Sequence, residues 1–232
     1  MKRIAEGLVI LEIPMGTPPG ESVMNLVLVW DDNTAVLLDT GLPGQLMLIR
    51  GEMEKAGVAF DRLRLVVITH QDTDHIGNIA SLKNALEGLK VFSHAEEKPY
   101  IELEKKPVKW TQERFSQAGA GPAIDYALAD GEELEVCGGI KVIHTPGHTP
   151  GHICLYLKKY KTLVTGDAVN LVNGQLVGPN PQYTYNMDIA IDSLNKLKQF
   201  DIEKVICYHG GVFTGQVHQR LDELTSLPGA NE

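Results

Sequence analysis

Side chains that can bind metal ions follow apolar segments at four separate places in this chain. The densest place is residues 69–75 (THQDTDH), directly after the apolar run 63–68 (LRLVVI). A continuous apolar run of this length is typical of a strand that is buried on both faces. Because a strand end is a rigid platform, we expect His70 and Asp72 to face one point and the last two residues of the motif to face a second point nearby. Carboxylate and imidazole together are ligands suited to zinc, iron or manganese.

The other three places repeat this arrangement. Three histidines lie at four-residue intervals in residues 144–152 (HTPGHTPGH), where two prolines exclude a helix and predict a turn after a strand. Asp167 ends a further predicted strand within the tripeptide TGD, and His209 follows the last predicted strand. Read alone, the first motif also fits a polar loop in which Asp72 or Asp74 caps a helix. Since one sheet edge can gather the ends of several strands, the four sets together favour a metal site.

The apolar pattern predicts two groups of strands, each followed by helices. Residues 95–122 interrupt it, because they are charged and contain proline and glycine; we interpret them as helical material that forms a lid over the sheet edge. Two packed sheets flanked by helices are therefore expected. The predicted strands cover residues 8–14, 24–30, 35–39, 63–68, 90–93, 134–137, 140–143, 152–157, 163–165 and 205–207. The predicted helices cover residues 45–56, 79–86, 187–200 and 217–227.

Composition limits the partners of this chain. Its 232 residues carry a net charge of −9, with 21 basic and 30 acidic residues and no basic stripe, which argues against nucleic acid or an anionic membrane as a partner. No apolar run approaches the ~18 residues of a membrane span. Glu6 and Glu12 interrupt the apolar N-terminal stretch, unlike a signal peptide. The three cysteines, too scattered for disulfides or a cysteine zinc site, are expected to be small buried side chains of a cytoplasmic protein. The sequence leaves the oligomeric state open.

The ordered set of motifs resembles the metallo-β-lactamase superfamily. The resemblance rests on H-x-D-x-D-H at 70–75, PGHT at 146–149, TGD at 165–167, the late His209 and DTG at 39–41. The resemblance extends from about residue 8 to residue 215. Within the superfamily, the chain is most similar to the branch that contains glyoxalase II and the lactonases. This resemblance implies an α/β fold of the four-layer αββα sandwich type, in a single domain that covers residues 1–232.

The same resemblance implies two divalent metal ions, with zinc as the expected metal. The usual family pattern is H-x-H-x-D-H, and here Asp72 replaces the second histidine. An aspartate adds a negative charge and harder ligand character at the first ion, so iron or manganese is the alternative. The implied ligands are His70, Asp72 and His148 for the first ion, Asp74, His75 and His209 for the second, and Asp167 as the bridge between them.

Further residues near these motifs are interpreted as supports or as pocket walls. We expect Asp39, His144 and His152 to hydrogen-bond the ligands or their loops, and His94 to lie at the surface or at the pocket rim. The lid and residues 178–186 (GPNPQYTYN) supply the pocket candidates, although ordinary turn chemistry before a helix explains the second segment equally well. The pocket candidates are Trp110, Phe115, Asn180, Tyr183 and Tyr185.

The resemblance implies a metal-dependent hydrolase that acts on a small molecule. Metal-bound hydroxide would attack a small ester, thioester or lactone, and Asp74 would orient the nucleophile and move its proton. The chain has no G-x-S-x-G motif and no suitable Cys–His pair for covalent catalysis. The alternatives are an iron-dependent redox enzyme on the same scaffold, a phosphodiesterase-type hydrolase, and a non-catalytic metal- or ligand-binding protein.

Overall fold

A seven-stranded sheet forms the first half of the protein in the computed structural model, which describes residues 1–16 and 22–226. Its strands are β1 (Lys2–Ala5), β2 (Leu8–Pro14), β3 (Val23–Trp30), β4 (Ala35–Leu38), β5 (Leu63–Ile68), β6 (Lys90–His94) and β7 (Tyr126–Leu128). They lie side by side in chain order. Neighbours are antiparallel from β1 to β4 and parallel from β4 to β7. The carboxyl ends of β4, β5 and β6 therefore meet at one edge.

A six-stranded sheet and a hairpin form the second half. The strands of this sheet are β8 (Glu133–Leu134), β9 (Ile140–His144), β10 (Ile153–Leu157), β11 (Thr162–Val164), β14 (Lys204–Cys207) and β15 (Gly211–Phe213). Their order across the sheet is β15-β14-β11-β10-β9-β8, and among the described strands of this sheet only the β11–β14 pair is parallel. The hairpin consists of β12 (Asn170–Val172) and β13 (Gln175–Val177).

Helices connect the strands and cover the outer faces of both sheets. The α-helices are α1 (Leu46–Lys55), α2 (Thr73–Ile76), α3 (Ile79–Ala85), α4 (Lys98–Ile101), α5 (Gln112–Gln117), α6 (Met187–Ser193) and α7 (Val217–Ser226). Short 3-10 helices cover Phe60–Arg62, Lys158–Tyr160 and Leu194–Gln199. No helix in the described ranges is long and apolar enough to cross a membrane.

Alternation along the strands separates the core into three layers of buried side chains. In β2, Leu8 and Ile10 face the second sheet, whereas Val9 and Leu11 face the layer that contains α1 and α3. A third layer lies between the second sheet and the helices α6 and α7. The order helix, sheet, sheet, helix follows from this pattern, since successive side chains of a strand point to opposite faces. The predicted four-layer αββα sandwich is confirmed.

Most predicted strands are confirmed to within one residue at each end, but the prediction for residues 134–137 is wrong. The strand β8 ends at Leu134, and Cys137 has a left-handed backbone with φ of 52°. The Cys137 N–H donates a hydrogen bond of 3.0 Å to Oδ2 of Asp31, so this residue belongs to a turn.

Two predicted helical segments are interrupted. The helix predicted for residues 187–200 changes from α to 3-10 geometry after Ser193. Residues 95–122 hold only the short helices α4 and α5, with irregular chain between them. The helix α7 agrees with the prediction for residues 217–227, except that residue 227 lies outside the described residues.

The two sheets are joined by hydrogen bonds at the edge where the candidate ligands lie. The backbone N–H of Asn25, in β3, donates to the carbonyl of Tyr208 at 3.0 Å, and its side-chain amide donates to the same oxygen at 2.9 Å. Likewise, the N–H of Ile153 donates to the carbonyl of Thr69 at 3.1 Å. These bonds fix β3 against the segment after β14, and the start of the loop after β5 against the end of the turn between β9 and β10.

Candidate metal centre

Four side chains from three loops form the first group of candidate ligands. His70 follows β5, and His148 lies in the turn between β9 and β10. Oδ2 of Asp72 lies 3.3 Å from Nε2 of His70 and 3.1 Å from Nε2 of His148. Oδ2 of Asp167, which follows β11, lies 3.4 Å from Nε2 of His148. The four ligand atoms converge within the reach of one ion.

Asp74, His75 and His209 form the second group. Oδ2 of Asp74 lies 3.7 Å from Nε2 of His75 and 3.4 Å from Nε2 of His209. The other oxygen of Asp167, Oδ1, lies 3.5 Å from Nε2 of His75 and 3.6 Å from Nε2 of His209. One carboxylate thus turns an oxygen toward each group. The structure therefore brings together all seven residues that the sequence motifs single out.

Three atoms of these groups are buried and have no hydrogen-bond partner among the described residues: Nε2 of His70, Nε2 of His75 and Oδ1 of Asp167. A buried polar atom without a partner costs about 1–3 kcal/mol, so natural proteins seldom keep three of them together. Burial and the neighbouring His75 lower the pKa of His70 to about 4, which leaves its ring neutral with a free lone pair. The donor set fits divalent metal ions such as zinc, iron or manganese.

Asp39 orients the ring of His75, one of the candidate ligands. Its Oδ2 lies 2.9 Å from Nδ1 of His75, and the Thr69 hydroxyl donates to the same oxygen at 2.8 Å. The Thr69 N–H donates to Oδ1 at 2.8 Å. With Nδ1 held by a carboxylate, Nε2 of His75 is the nitrogen that faces the second group. Asp39 has a left-handed backbone with φ of 62°, a conformation that aspartate tolerates better than most residues.

His152 and His144 support the loops from behind. The N–H of Asp167 donates to Nε2 of His152 at 3.1 Å, and the Thr145 hydroxyl lies 2.9 Å from its Nδ1. Both ring nitrogens of His152 are therefore engaged. Nε2 of His144 lies 3.0 Å from the carbonyl of Pro150, within the turn that carries His148.

The position expected for His94 is wrong. This residue is 5% exposed rather than at the surface, and its ring stacks on that of His144 with centroids 4.0 Å apart. Glu96 completes a third group that could hold a metal ion. However, the two rings stand parallel, and each already has a nitrogen in a hydrogen bond, to the Glu96 N–H and to Pro150. We regard this group as support for the turn.

A cavity of about 650 Å³ opens beside the ligands. Its floor contains Asp72, Asp74, His148, Asp167 and His209. Its walls are mainly apolar and come from the chain near residue 15, from the segment that follows Asp167, and from the residue after His209. The wall residues are Met15, Asn170, Leu171, Val172, Val177, Gly178, Pro179, Asn180, Pro181, Tyr183 and Gly210.

The comparison with known proteins agrees with this geometry. Residues 20–209 match the family model described as the metallo-β-lactamase superfamily. The chain belongs to this superfamily. It is an enzyme, a metal-dependent hydrolase.

Relatives of the superfamily match to different extents. The probable metallo-hydrolase YflN of Bacillus subtilis is 29% identical over 210 residues, which cover 80% of this chain and 79% of that protein. A hydroxyacylglutathione hydrolase of Pseudomonas aeruginosa (strain LESB58) is 38% identical over 96 residues, which cover 41% of this chain but 28% of that protein. The crystal structure of a metallo-β-lactamase family protein from Thermus thermophilus matches with a TM-score of 0.72 at 25% identity, covering 97% of this chain and 80% of that one.

Only some of the predicted pocket residues line the cavity. Asn180 and Tyr183 line the cavity, whereas Trp110, Phe115 and Tyr185, all in the described part of the chain, lie outside its lining. Trp110 lies beneath the guanidinium of Arg114, 3.8 Å from the ring centroid, and Arg114 reaches the hydroxyl of Thr73 at 3.3 Å. The segment that carries Trp110 therefore lies over the ligand loop after β5.

Two residues near the candidate ligands, Lys109 and Glu97, could not be predicted from the sequence pattern. Nζ of Lys109 contacts Oδ2 of Asp72 and lies 2.8 Å from Nε2 of His148. Glu97 is fully buried, accepts a hydrogen bond of 2.6 Å from Nε2 of Gln71, and contacts the hydroxyl of Thr149. Burial raises the pKa of Glu97 to about 7, although these two hydrogen bonds lower it. Both residues come from 95–122, whose path depends on tertiary packing.

Proposed function

We propose that this chain hydrolyses a small ester, thioester or lactone with the help of two divalent metal ions. The observation that carries the proposal is the position of Asp167, whose two oxygens face two separate groups of ligands at distances of 3.4 to 3.6 Å. Bound there, two divalent ions would supply Lewis acidity and lower the pKa of a shared water. Zinc is the metal we propose, with iron or manganese as the alternative because Asp72 is harder than histidine.

Asp74 is the residue proposed to orient the nucleophile and move its proton. Its side chain belongs to the second ligand group and also lines the cavity. The Tyr208 hydroxyl donates a hydrogen bond to the Asp74 backbone carbonyl, which fixes the backbone there. A carboxylate that faces both ligands and substrate is within reach of the attacking water and of the leaving group.

The cavity walls support a substrate with an apolar body and a polar acyl group. Leu171, Val177 and Pro179 offer apolar surface, while Asn180 and Tyr183 offer hydrogen bonds close to the ligands. Small-molecule pockets usually combine apolar walls with a few polar groups in this way. The matched relatives named hydroxyacylglutathione hydrolase act, by their name, on a glutathione thioester, which supports the thioester class as the first to be tested.

We further propose that the ligands tie the chain into a single domain and that the enzyme works in the cytoplasm. The ligands are drawn from residue 70 through residue 209, so both halves of the chain contribute to one centre. The three cysteines are buried and unpaired, as expected in a reducing compartment.

The experiment that tests the function combines metal quantification with a substrate panel. The protein is loaded with zinc, iron or manganese and assayed on p-nitrophenyl esters, thioesters, lactones and phosphodiesters. We expect two equivalents of metal and turnover of at least one carbonyl substrate. The variant Asp167→Asn is expected to lose both the second equivalent and the activity, whereas Asp192→Asn, at an exposed position of α6, keeps them. Retained turnover in Asp167→Asn, or turnover of phosphodiesters alone, would overturn the proposal.

A further inference from the structure

Lys109 reaches into the first ligand group from the segment that precedes α5. Its Nζ contacts Oδ2 of Asp72 and lies 2.8 Å from Nε2 of His148. These two atoms are themselves 3.1 Å apart, and both belong to the four that converge on the first metal position. The ammonium group therefore lies beside the point where an ion of the first group would bind.

An ammonium and a metal ion compete for the same electrons at these atoms. Neutral imidazole has one nitrogen lone pair to offer, and Nε2 of His148 can use it either to accept a hydrogen bond from Lys109 or to bind a metal. The Thr184 hydroxyl lies 3.4 Å from Nδ1 of this ring, so the other nitrogen faces a different partner. Two positive charges also repel each other at this separation. A metal at the first position requires the ammonium group to leave.

In the part of the chain that the structure describes, no such competitor contacts the second ligand group. Among the described residues, the carboxylates of Asp74 and Asp167 form ion-pair contacts only with histidines. Of the three candidate ligand carboxylates, only Asp72 pairs with a lysine in the described part of the chain. The two groups, otherwise similar in ligand chemistry, thus differ by one built-in cation.

Lys109 can leave without a change of the backbone around it. The N–H of the preceding residue, Val108, donates to Oε1 of Gln71 at 2.9 Å, within the ligand loop. Lys106 donates to the carbonyl of Trp110 at 2.8 Å on the other side. Because the backbone is held on both sides, rotation of the flexible lysine side chain alone moves the ammonium group in or out.

We propose that Lys109 is an internal competitor for the first metal position, so that the ion held by Asp74, His75 and His209 binds first and more tightly. This inference rests on the two-metal centre proposed above. It also gives the aspartate at position 72 a role, since a carboxylate attracts the ammonium group more strongly than a neutral histidine does. The lysine keeps Asp72 and His148 together before the first metal position is filled, and the ion that enters there has to displace it.

The test is a titration of the metal-free protein with Zn²⁺ in competition with a chromophoric chelator. The variants are Lys109→Met, which keeps most of the stem and removes the charge, Lys109→Arg, which keeps a cation, and Lys105→Met as the control. Lys105 is exposed and lies over the ring of Tyr100, away from the ligands. We expect two binding steps in the parent protein. Lys109→Met tightens the weaker step about fivefold, the size expected of a partly exposed ion pair, and leaves the tighter step unchanged.

The controls separate this inference from the proposed function. In Lys109→Arg and Lys105→Met, the affinity of the weaker zinc-binding step is expected to equal that of the parent protein. A Lys109→Met protein whose weaker step is unchanged or weaker would overturn the inference, provided that its unchanged tighter step shows correct folding. Failure of every protein to bind a second equivalent would overturn the two-metal proposal as well.

Chemical reactivity gives a second readout that does not depend on activity. An amine-acylating reagent, followed by mass spectrometry, measures the exposure of each lysine. The inference predicts that Lys109 reacts faster once Zn²⁺ saturates both positions, whereas Lys105 reacts at the same rate with and without the metal. Equal reactivity of Lys109 in the two states would contradict displacement, even if Lys109→Met binds zinc more tightly. In that case Lys109→Met tightens zinc binding only because the charge of Asp72 is no longer neutralised, and not because a competitor has been removed.

Discussion

Oδ2 of Asp39 lies 2.9 Å from Nδ1 of His75, and the other nitrogen of the same ring, Nε2, faces the second ligand group. The same carboxylate accepts hydrogen bonds from the N–H and the hydroxyl of Thr69, the residue that joins β5 to the ligand loop. Asp39 therefore fixes both the orientation of one candidate ligand and the start of the segment that carries four of the candidate ligands.

Substitution Asp39→Asn is expected to weaken metal binding at the second group by about 10- to 100-fold, the usual effect of removing a carboxylate behind a ligand histidine. Asparagine keeps the shape and tolerates the left-handed backbone, so the loss reports the missing charge. The measurement is a zinc titration of Asp39→Asn beside Asp32→Asn, an exposed control in the β3–β4 turn. Equal affinities of the two variants for the tighter ion would refute this role of Asp39.

Much of this centre could be predicted from the sequence, because each ligand motif follows a strand whose apolar pattern is visible. The strands β5, β9, β11 and β14 end next to one another at one edge, so residues that are far apart in the chain, such as His70 and His209, come together. The two predicted faces of the first motif also separate as expected, with Asp72 in one group and Asp74 in the other.

The supporting residues could not be predicted in this way. Lys109 and Glu97 belong to residues 95–122, which form short helices and irregular chain. Such a segment has no regular spacing of apolar residues from which its position could be predicted. His94 has an ordinary sequence context, and its burial follows from stacking on His144, which is 50 residues away in the chain. The strands β1, β7, β12, β13 and β15 are three or four residues long, and only pairing with a neighbour defines them.

The buried carboxyl of Glu97 is expected to make stability depend on pH. Its pKa rises from 4.5 to about 7 on folding, so the folded protein keeps a proton that the unfolded chain releases first. This contribution to stability is complete below pH 4.5 and is lost as the pH rises to about 7, with a total of about 3 kcal/mol. Urea unfolding of the parent protein and of Glu97→Gln, at pH 5 and at pH 8, measures the difference.

Glu97→Gln removes the titrating proton and is expected to remove this part of the pH dependence. The matched control is Glu96→Gln, because Glu96 is the exposed neighbour of the same residue type. It should keep the pH dependence of the parent protein. If the free energy of unfolding of Glu97→Gln falls between pH 5 and pH 8 as steeply as that of the parent, then Glu97 does not carry the proton.

Tyr183 and Tyr185 offer a matched pair for the substrate cavity. Both rings are more than half exposed, but only Tyr183 lines the cavity. With a substrate found in the panel, Tyr183→Ala is expected to raise KM roughly fivefold, equal to about 1 kcal/mol of lost binding, with little change in kcat. Tyr185→Ala should leave both constants unchanged. A larger effect at Tyr185 would place the substrate outside this cavity.

Gly210 and Gly211 test how closely the β12–β13 hairpin packs against the candidate ligand His209. Both glycines have φ of 104°, so an alanine at either position bears the same backbone strain. A Cβ on Gly210 would lie 2.0 Å from the carbonyl oxygen of Leu171, whereas a Cβ on Gly211 would meet no described atom within 4 Å. The Leu171 N–H also donates to the His209 carbonyl at 3.1 Å. Gly210→Ala must therefore push the hairpin away from this ligand.

We expect Gly210→Ala to lower the free energy of unfolding by about 1–3 kcal/mol more than Gly211→Ala, as overpacking does in a close contact. It should also weaken zinc binding at the group that contains His209, since the clash bears on the backbone of that residue. Urea unfolding and zinc titration of the two variants provide the comparison. Similar stability and similar zinc affinity in both variants would mean that backbone strain alone accounts for the losses, and that the hairpin does not hold His209 in place.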